Sequence, residues 1–224
     1  MTVALIVPTF NEVEGIKTVM PKVDPKWVDE IIVVDGGSTD GTIEEAEKLG
    51  LRVIHQKKKG HSAAVIEGIE ATNSDFFIIW DPDGNNEPSE IPLLIKKAEE
   101  GYDQVVTSRF AYGSKNLDAN LLEKFGNRMF AFLTNAFFGG NFTDTLNESR
   151  IMKRKAFDEL NFNAVRMTTT QTMTIRSLKL NHKITEIIGN EGKRIGGEKK
   201  MRPFKVGADL SANIIKEFIF WKTR

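Results

Sequence analysis

IIVVDGGSTDGT, residues Ile31–Thr42, is the stretch from which the rest of the chain can be read. Its β-branched run suits a strand. Asp35-Gly36-Gly37-Ser38 ends that strand with turn formers, and Thr39-Asp40-Gly41-Thr42 leads into a helix through Ala46 and Leu49. The same unit recurs on either side. Val3–Val7 is a β-branched run ending at Pro8, with a helix from about Glu12. Arg52–His55 is a third strand, and KKKGHSAAVIEGI after it is a loop entering a helix. Phe76–Trp80 is a fourth strand, a helix spans Pro88–Glu100, and Gln104–Ser108 is a fifth strand. Strands alternating with helices predict βαβ units: an α/β fold with a mostly parallel sheet and helices on both faces. Ligands of such sheets bind beyond the carboxyl ends of the strands. Pro8-Thr9, Asp35-Gly36, Lys57-Lys58 and Asp81-Pro82-Asp83 all fall there.

Bulk composition narrows the classes. The 224 residues suit one large domain, or a domain with an extension, with a sizeable core. The absence of cysteine excludes disulfides, thiolate nucleophiles and Cys-ligated zinc, and it fits a reducing compartment. Lys plus Arg and Asp plus Glu both number 31, so the formal charge is zero and nucleic acid is not an expected partner. MTVALIVPTFNE has no basic region before its apolar run and reads as a strand, not a signal peptide. No apolar stretch reaches the roughly 18 residues of a membrane span.

Beyond residue 110 the pattern changes. Leu121–Phe138 is predicted helical, with Leu122, Phe125, Met129, Leu133 and Phe137 on one stripe, widened by Phe130, Phe132 and Phe138. Glu186–Ile188 is a candidate strand and Gly189–Arg202 a basic, glycine-rich loop. Leu210–Trp221 is a closing helix with Leu210, Ile214, Phe218 and Trp221 on one face. Two readings stand for these helices: packing on the sheet or a dimer partner, or lying in a membrane interface. The expected organisation is a first half at 1–110, a second half at 111–203, and an amphipathic helix at 204–224.

IIWDPDGNNEP, Ile78–Pro88, carries the sharpest chemistry. Asp81 and Asp83 leave a strand at alternate positions and can aim two carboxylates at one point, with Asn85 adding a neutral oxygen. Mg²⁺ or Mn²⁺ prefers such oxygens and commonly shares them with substrate phosphates. A turn explains the same residues, since Asp, Pro, Gly and Asn are all turn formers.

IVPTFNE (Ile6–Glu12), IIVVDGGSTDGT, the Lys-Gly segment at Lys58–Ala63, DPD (Asp81–Asp83) and TSRF (Thr107–Phe110) together resemble the family 2 glycosyltransferases of the GT-A fold. Within that family, the nearest likeness is to dolichol-phosphate mannose synthases and related polyprenyl-phosphate hexosyltransferases. The likeness is strong over about residues 1–110. A looser match, Thr143, Asp144 and Arg150 followed by KRIGGEKKM, runs to Met201.

The resemblance implies that Pro8, Thr9, Glu12 and Asp35 hold the base and ribose, with Lys58 and Asp81 also on the nucleotide. Asp81, Asp83 and Asn85 would sit at the metal and diphosphate. Arg109, Arg194 and Lys200, with Asp83, would serve transfer, facing the acceptor phosphate or the departing diphosphate. Asp144 and Arg150 would lie on the acceptor side. It further implies a GDP- or UDP-hexose donor, a polyprenyl or dolichyl phosphate acceptor, and inverting transfer of mannose or glucose. The expected location is the cytoplasmic face of a membrane, held peripherally, with a membrane-protein partner or a homo-oligomer left open.

No side chain stands out in the sequence as a general base, and His61 is the only histidine expected near the pocket. That suits a lipid phosphate, which is already anionic near neutral pH and attacks without deprotonation. Three positions depart from the pattern: Gly36 replaces a second acid, Asn147-Glu148-Ser149 replaces Ser-Gly-Phe, and Lys199 replaces Ser. They keep two rivals in view: the same fold acting on a hydroxyl acceptor, and a non-catalytic nucleotide-sugar-binding or membrane-associated protein.

Overall fold

A computed structural model of the chain describes residues 1–161, 168–196 and 203–220. Seven strands are described: β1 (Val3–Thr9), β2 (Glu30–Asp35), β3 (Arg52–His55), β4 (Phe76–Ile79), β5 (Gln104–Ser108), β6 (Arg150–Lys153) and β7 (Ile184–Ile188). They form one sheet in the order β3-β2-β1-β4-β6-β5-β7. All neighbours pair in parallel except β6, which runs antiparallel to both β4 and β5. The five expected strands are present, with β3 and β5 at the expected bounds. The strand β6 was not anticipated, because four residues flanked by charge carry little periodic signal.

Successive side chains of a strand point to opposite faces, and both faces here are apolar. Leu5, Val7, Val33, Ile78 and Trp80 face one layer, with Ile16 of α1 (Val13–Val19), Ala46 of α2 (Thr42–Lys48), and Ile91 and Leu94 of α4 (Glu90–Glu99). Ile6, Ile32, Val34, Phe77, Ile79 and Met152 face the other, with Val65 and Ile69 of α3 (His61–Glu70), Phe157 of α6 (Arg154–Glu159) and Met173 of α7 (Thr169–Lys179). Each fully buried Leu, Ile or Phe contributes roughly 1.5–3 kcal/mol.

A third, smaller core holds the remaining helices. Phe130 of α5 (Leu121–Phe138), Ile175 of α7, and Leu210 and Ile214 of α8 (Pro203–Ile219) meet there. α5 opens with a capping box: the Asn120 side chain accepts from the Glu123 amide and the Glu123 carboxylate accepts from the Asn120 amide, both at 3.0 Å. Of the expected α5 stripe, only Leu133 packs against this core. Phe130, Ala131 and Thr134 face inward, while Leu122, Phe125, Met129 and Phe137 stay exposed, joined by Leu121 and Phe132. On α8, Leu210 and Ile214 are buried as expected; Phe218 is exposed, its ring against Phe137 and Phe138. Trp221 lies outside the described residues. Among the described residues, no helix is long and apolar enough to cross a membrane.

The topology brings distant segments to one edge. The parallel strands β1–β5 and β7 all end there, and the antiparallel β6 begins there.

Candidate functional site

At this edge lies a cleft of about 1150 Å³. The end of β1 contributes Pro8 and Thr9, and the loop after it Phe10 and Glu12. The loop after β2 contributes Gly36, because Asp35 is turned away: only 1% exposed, it is absent from the cleft wall. Asp35 Oδ1 accepts from the Gly37 and Ser38 amides at 2.8 Å, and Oδ2 accepts from Thr9 Oγ1 at 3.2 Å and Ser38 Oγ at 2.5 Å. Its carboxylate builds the loop that shapes the cleft. After β3, Lys59 lines the cleft and Lys58 does not; the Lys58 amide instead donates to Glu67, tying the loop to α3.

The loop after β4 supplies Asp81, Asp83 and Asn85 to the cleft. α1 fits tightly against this loop: a Cβ at Gly15 would stand 2.3 Å from the Pro82 carbonyl oxygen, so only glycine allows the approach. Asp83 is 7% exposed and accepts from Arg194 at 2.7 Å and from the Asn85 amide at 3.0 Å. Arg194 reaches back to Glu12 as well. Burial and the neighbouring Asp81 push the Asp83 pKa up to about 6, against the pull of the Asn85 amide and Arg194.

Arg109, after β5, lines the cleft but is closely held. Its Nε donates to Asp144 at 2.7 Å, one terminal nitrogen to Glu191 at 3.0 Å, and the other to Asn127 and Asp144, each at 3.2 Å. Burial opposes its charge, but Asp144 and Glu191 more than compensate. Asp144 and Arg150 lie behind the wall, and neither lines the cleft. Arg150 is fully buried at the start of β6, donating to the Thr170 carbonyl at 2.9 Å, to Thr174 Oγ1 at 3.2 Å and to the Asn147 carbonyl. Burial lowers its pKa to about 10. It clamps the segment before β6 onto α7. Lys200 lies outside the described residues.

That segment brings in a residue read from the sequence only as a departure from the motif, not as a site residue. Glu148 lines the cleft, its Oε1 3.9 Å from His61 Nδ1, while His61 Nε2 stands 3.4 Å from Asp81. Burial lowers the His61 pKa, but Glu148, then Asp81 and Asp83, outweigh it and raise it to about 9. Burial raises the Glu148 pKa. The available signal was an acid beside a strand start, legible only once β6 is known to run antiparallel. Asn127 and Glu191 were missed because nothing local marks them as cleft residues, and Lys59 was passed over for its neighbour Lys58 in the same Lys-Gly segment.

The donor set at Asp81, Asp83 and Asn85 suits a hard divalent cation. All three offer oxygen, and Asn85 Oδ1 is buried with no hydrogen-bond partner. Among the described residues, no group of three or more His, Cys, Asp or Glu could hold a metal unaided. Oxygens from a bound diphosphate or water would complete the shell.

Comparison with known proteins agrees with this layout. Residues 4–161 match the model of glycosyl transferase family 2. The chain is 33% identical over 159 residues to glycosyltransferase AglJ of Haloferax volcanii, covering 69% of this chain and 51% of that protein. It is 37% identical over 123 residues to a dolichol-phosphate mannosyltransferase of Pyrococcus furiosus, covering 51% and 35%. It is 28% identical over 216 residues to a dolichyl-phosphate hexose transferase of Haloferax volcanii, covering 95% and 92%. The aligned parts thus span about half of the first relative's length and about a third of the second's. Glucosyl-3-phosphoglycerate synthase of Mycobacterium tuberculosis superposes with a TM-score of 0.78 at 20% identity, over 99% of this chain and 82% of that one. Its complex with Mn²⁺, UDP and glucosyl-3-phosphoglycerate superposes at 0.72 with 24% identity, over 96% and 77%. At such identities the likeness speaks for the fold.

Proposed function

The chain belongs to glycosyl transferase family 2, and from that premise we propose that it moves a hexose, mannose or glucose, from a GDP- or UDP-sugar to a polyprenyl phosphate such as dolichyl phosphate, with inversion and with Mg²⁺ or Mn²⁺. One observation carries the acceptor half of this reading. The cleft that holds Asp81, Asp83 and Arg194 is also lined by Glu123 and Asn127 of α5 and by Lys205, Val206 and Leu210 of α8. Those two helices carry the exposed apolar residues Leu121, Phe125 and Phe132, and Phe204, Ile215 and Phe218. A lipid chain resting on that surface would place its phosphate at the cleft mouth, and the same helices support peripheral contact with a membrane, which this reading puts at its cytoplasmic face.

In this mechanism Pro8, Thr9 and Phe10 wall the nucleotide end of the cleft, and Asp35 holds the loop beside them. A bound divalent cation would offset the charge of the diphosphate leaving group, held by Asp83 and Asn85 with Asp81 on the ribose or on a metal-bound water. Arg194 is placed to follow that charge as it develops, because its guanidinium is already drawn to this point by Glu12 and Asp83. Arg109, fixed by Asp144 and Glu191, presents an oriented cationic edge toward the acceptor phosphate. No proton needs to leave a phosphate acceptor before it attacks. The division into a donor half at 1–110, an acceptor half at 111–203 and a closing helix at 204–224 is part of the same proposal.

A second reading, transfer to a hydroxyl, is favoured by Glu148, a cleft carboxylate of the kind a hydroxyl acceptor needs as base. Incubation with Mn²⁺, labelled nucleotide sugars and polyprenyl phosphate separates the readings. A butanol-soluble, mild-acid-labile product is expected. A water-soluble or alkali-stable product would favour the hydroxyl acceptor, and binding without turnover would favour a non-catalytic protein.

A further inference from the structure

Beside Thr9, the cleft is lined by Phe10, Gly36 and Gln56. Gln56 directly follows β3, and its backbone amide donates to the Asp35 carbonyl at 2.8 Å. Its side-chain nitrogen donates to the Gly60 carbonyl at 2.6 Å and to the Lys58 carbonyl. Two carbonyl acceptors can face only the nitrogen of an amide, so the amide oxygen points the other way. That way lies Gly36. A Cβ at position 36 would stand 3.0 Å from Gln56 Oε1, 3.4 Å from the Thr9 carbonyl oxygen and 3.5 Å from Phe10 Cδ2. Glycine therefore leaves open the space where an oriented acceptor and an aromatic edge meet in the cleft wall. Among the described residues, no hydrogen bond reaches Gln56 Oε1.

We propose that Gln56 reads the nucleotide base: its Oε1 accepts the ring N–H of uracil or guanine, with Phe10 as the apolar wall beside it. The proposal rests on the nucleotide-sugar reading above and adds the selectivity of the donor site. Uracil N3 and guanine N1 carry a hydrogen. The matching ring nitrogens of cytosine and adenine carry a lone pair, which would face the lone pairs of Oε1. The amide cannot rotate to suit them without giving up both loop carbonyls. The absence of an acid at position 36 then has a role, since any side chain there would crowd the reading oxygen.

Calorimetric titration with Mn²⁺ present tests this, using UDP, GDP, their N3-methyl and N1-methyl analogues, ADP and CDP. The wild type is expected to bind UDP or GDP about tenfold more tightly than the methylated analogue, ADP or CDP. Gln56→Ala should reduce that ratio to about twofold or less. Gly36→Ser, which crowds the oxygen while leaving the Lys58 and Gly60 carbonyls their donor, should reduce it likewise. If Gln56 merely holds the Lys58–Gly60 loop, its loss weakens native and methylated nucleotides equally; an unchanged ratio overturns the proposal. A wild type indifferent to methylation also overturns it. A wild type that binds no nucleoside diphosphate overturns the nucleotide-sugar reading itself, and the proposal with it.

Discussion

In the first 110 residues, the residues that line the cleft mostly stand just past the end of a parallel strand: Glu12 after β1, Gly36 after β2, Lys59 after β3, Asp83 after β4. In the remainder the cleft is reached otherwise. Glu148 precedes the antiparallel β6, Asn127 lies midway along α5, and Val206 and Leu210 come from α8. On the function proposed here, the donor side is thus assembled locally, and the acceptor side by long-range packing. A local assembly tolerates loss of one polar group without losing its frame. An assembly built by packing couples its chemistry to its stability.

The largest effect expected from this contrast is chemical and falls on the donor side. Asp83→Asn keeps the volume and the contact with the Asn85 amide while removing a charge that Arg194 and a cation would share. Metal-dependent turnover should fall by about 10²–10³-fold, the scale of losing one preorganised electrostatic contact, with little change in Tm. Unchanged kinetics would remove Asp83 from the metal role. Next in size is Arg194→Ala, which should lower kcat roughly 100-fold and weaken donor binding less, as read by single-turnover rates beside nucleotide titration. Equal loss of both would place Arg194 on the donor alone.

On the acceptor side the comparison predicts a different separation. The double substitution Phe125→Glu, Phe132→Glu alters two side chains that are 66% and 68% exposed, so the fold should be untouched. Partition onto vesicles containing anionic lipid should fall about tenfold or more, while binding of nucleotide in solution stays the same. Vesicle binding that survives the change would return α5 to a packing role. In that case the exposed face would need a protein partner to cover it.

How much of this was legible beforehand follows the same divide. Runs such as Ile31–Val34 stop at turn formers, so strand, break and loop position can be read from adjacent residues. Asp81, Asp83 and Asn85 were placed on the cleft by that logic, and the structure puts them there. Asp35 shows its limit: position was readable, but the direction of the carboxylate depended on Gly37, Ser38 and Thr9. Arg150 shows it more strongly. In the sequence it is an arginine beside the acceptor motif; in the fold it is a fully buried clamp, because β6 inserts between β4 and β5. The direction of β6 is a pairing choice, and pairing is not written in four residues. The α5 helix was read with its bounds, but which of its two readings holds was not legible for a related reason: periodicity identifies an apolar face but not what, if anything, will cover it.

The smallest predicted effect lies where the two assemblies touch. Glu90, at the start of α4, is buried and accepts from the Asn190 amide at 2.8 Å, so the donor half grips the loop that carries Glu191 and Arg194. Burial pushes its pKa from an ordinary 4.5 up to about 7, against the pull of the Asn190 amide and helped by Glu87. A carboxyl with a raised folded-state pKa holds its proton more firmly when folded than when unfolded. Its effect on stability is therefore most favourable below about pH 4.5 and is lost as pH rises toward about 7. The span corresponds to at most about 3 kcal/mol. Glu90→Gln keeps an oxygen for the Asn190 amide and cannot ionise. It should match the wild type at about pH 4 and melt roughly 5 °C higher at about pH 8, by thermal denaturation at the two pH values. The same gain at both pH values would mean that ionisation of Glu90 is not what strains this contact. A pH-dependent gain would locate the coupling between the halves at one carboxylate, and donor-side chemistry could then feel acceptor-side packing through the loop from Asn190 to Arg194.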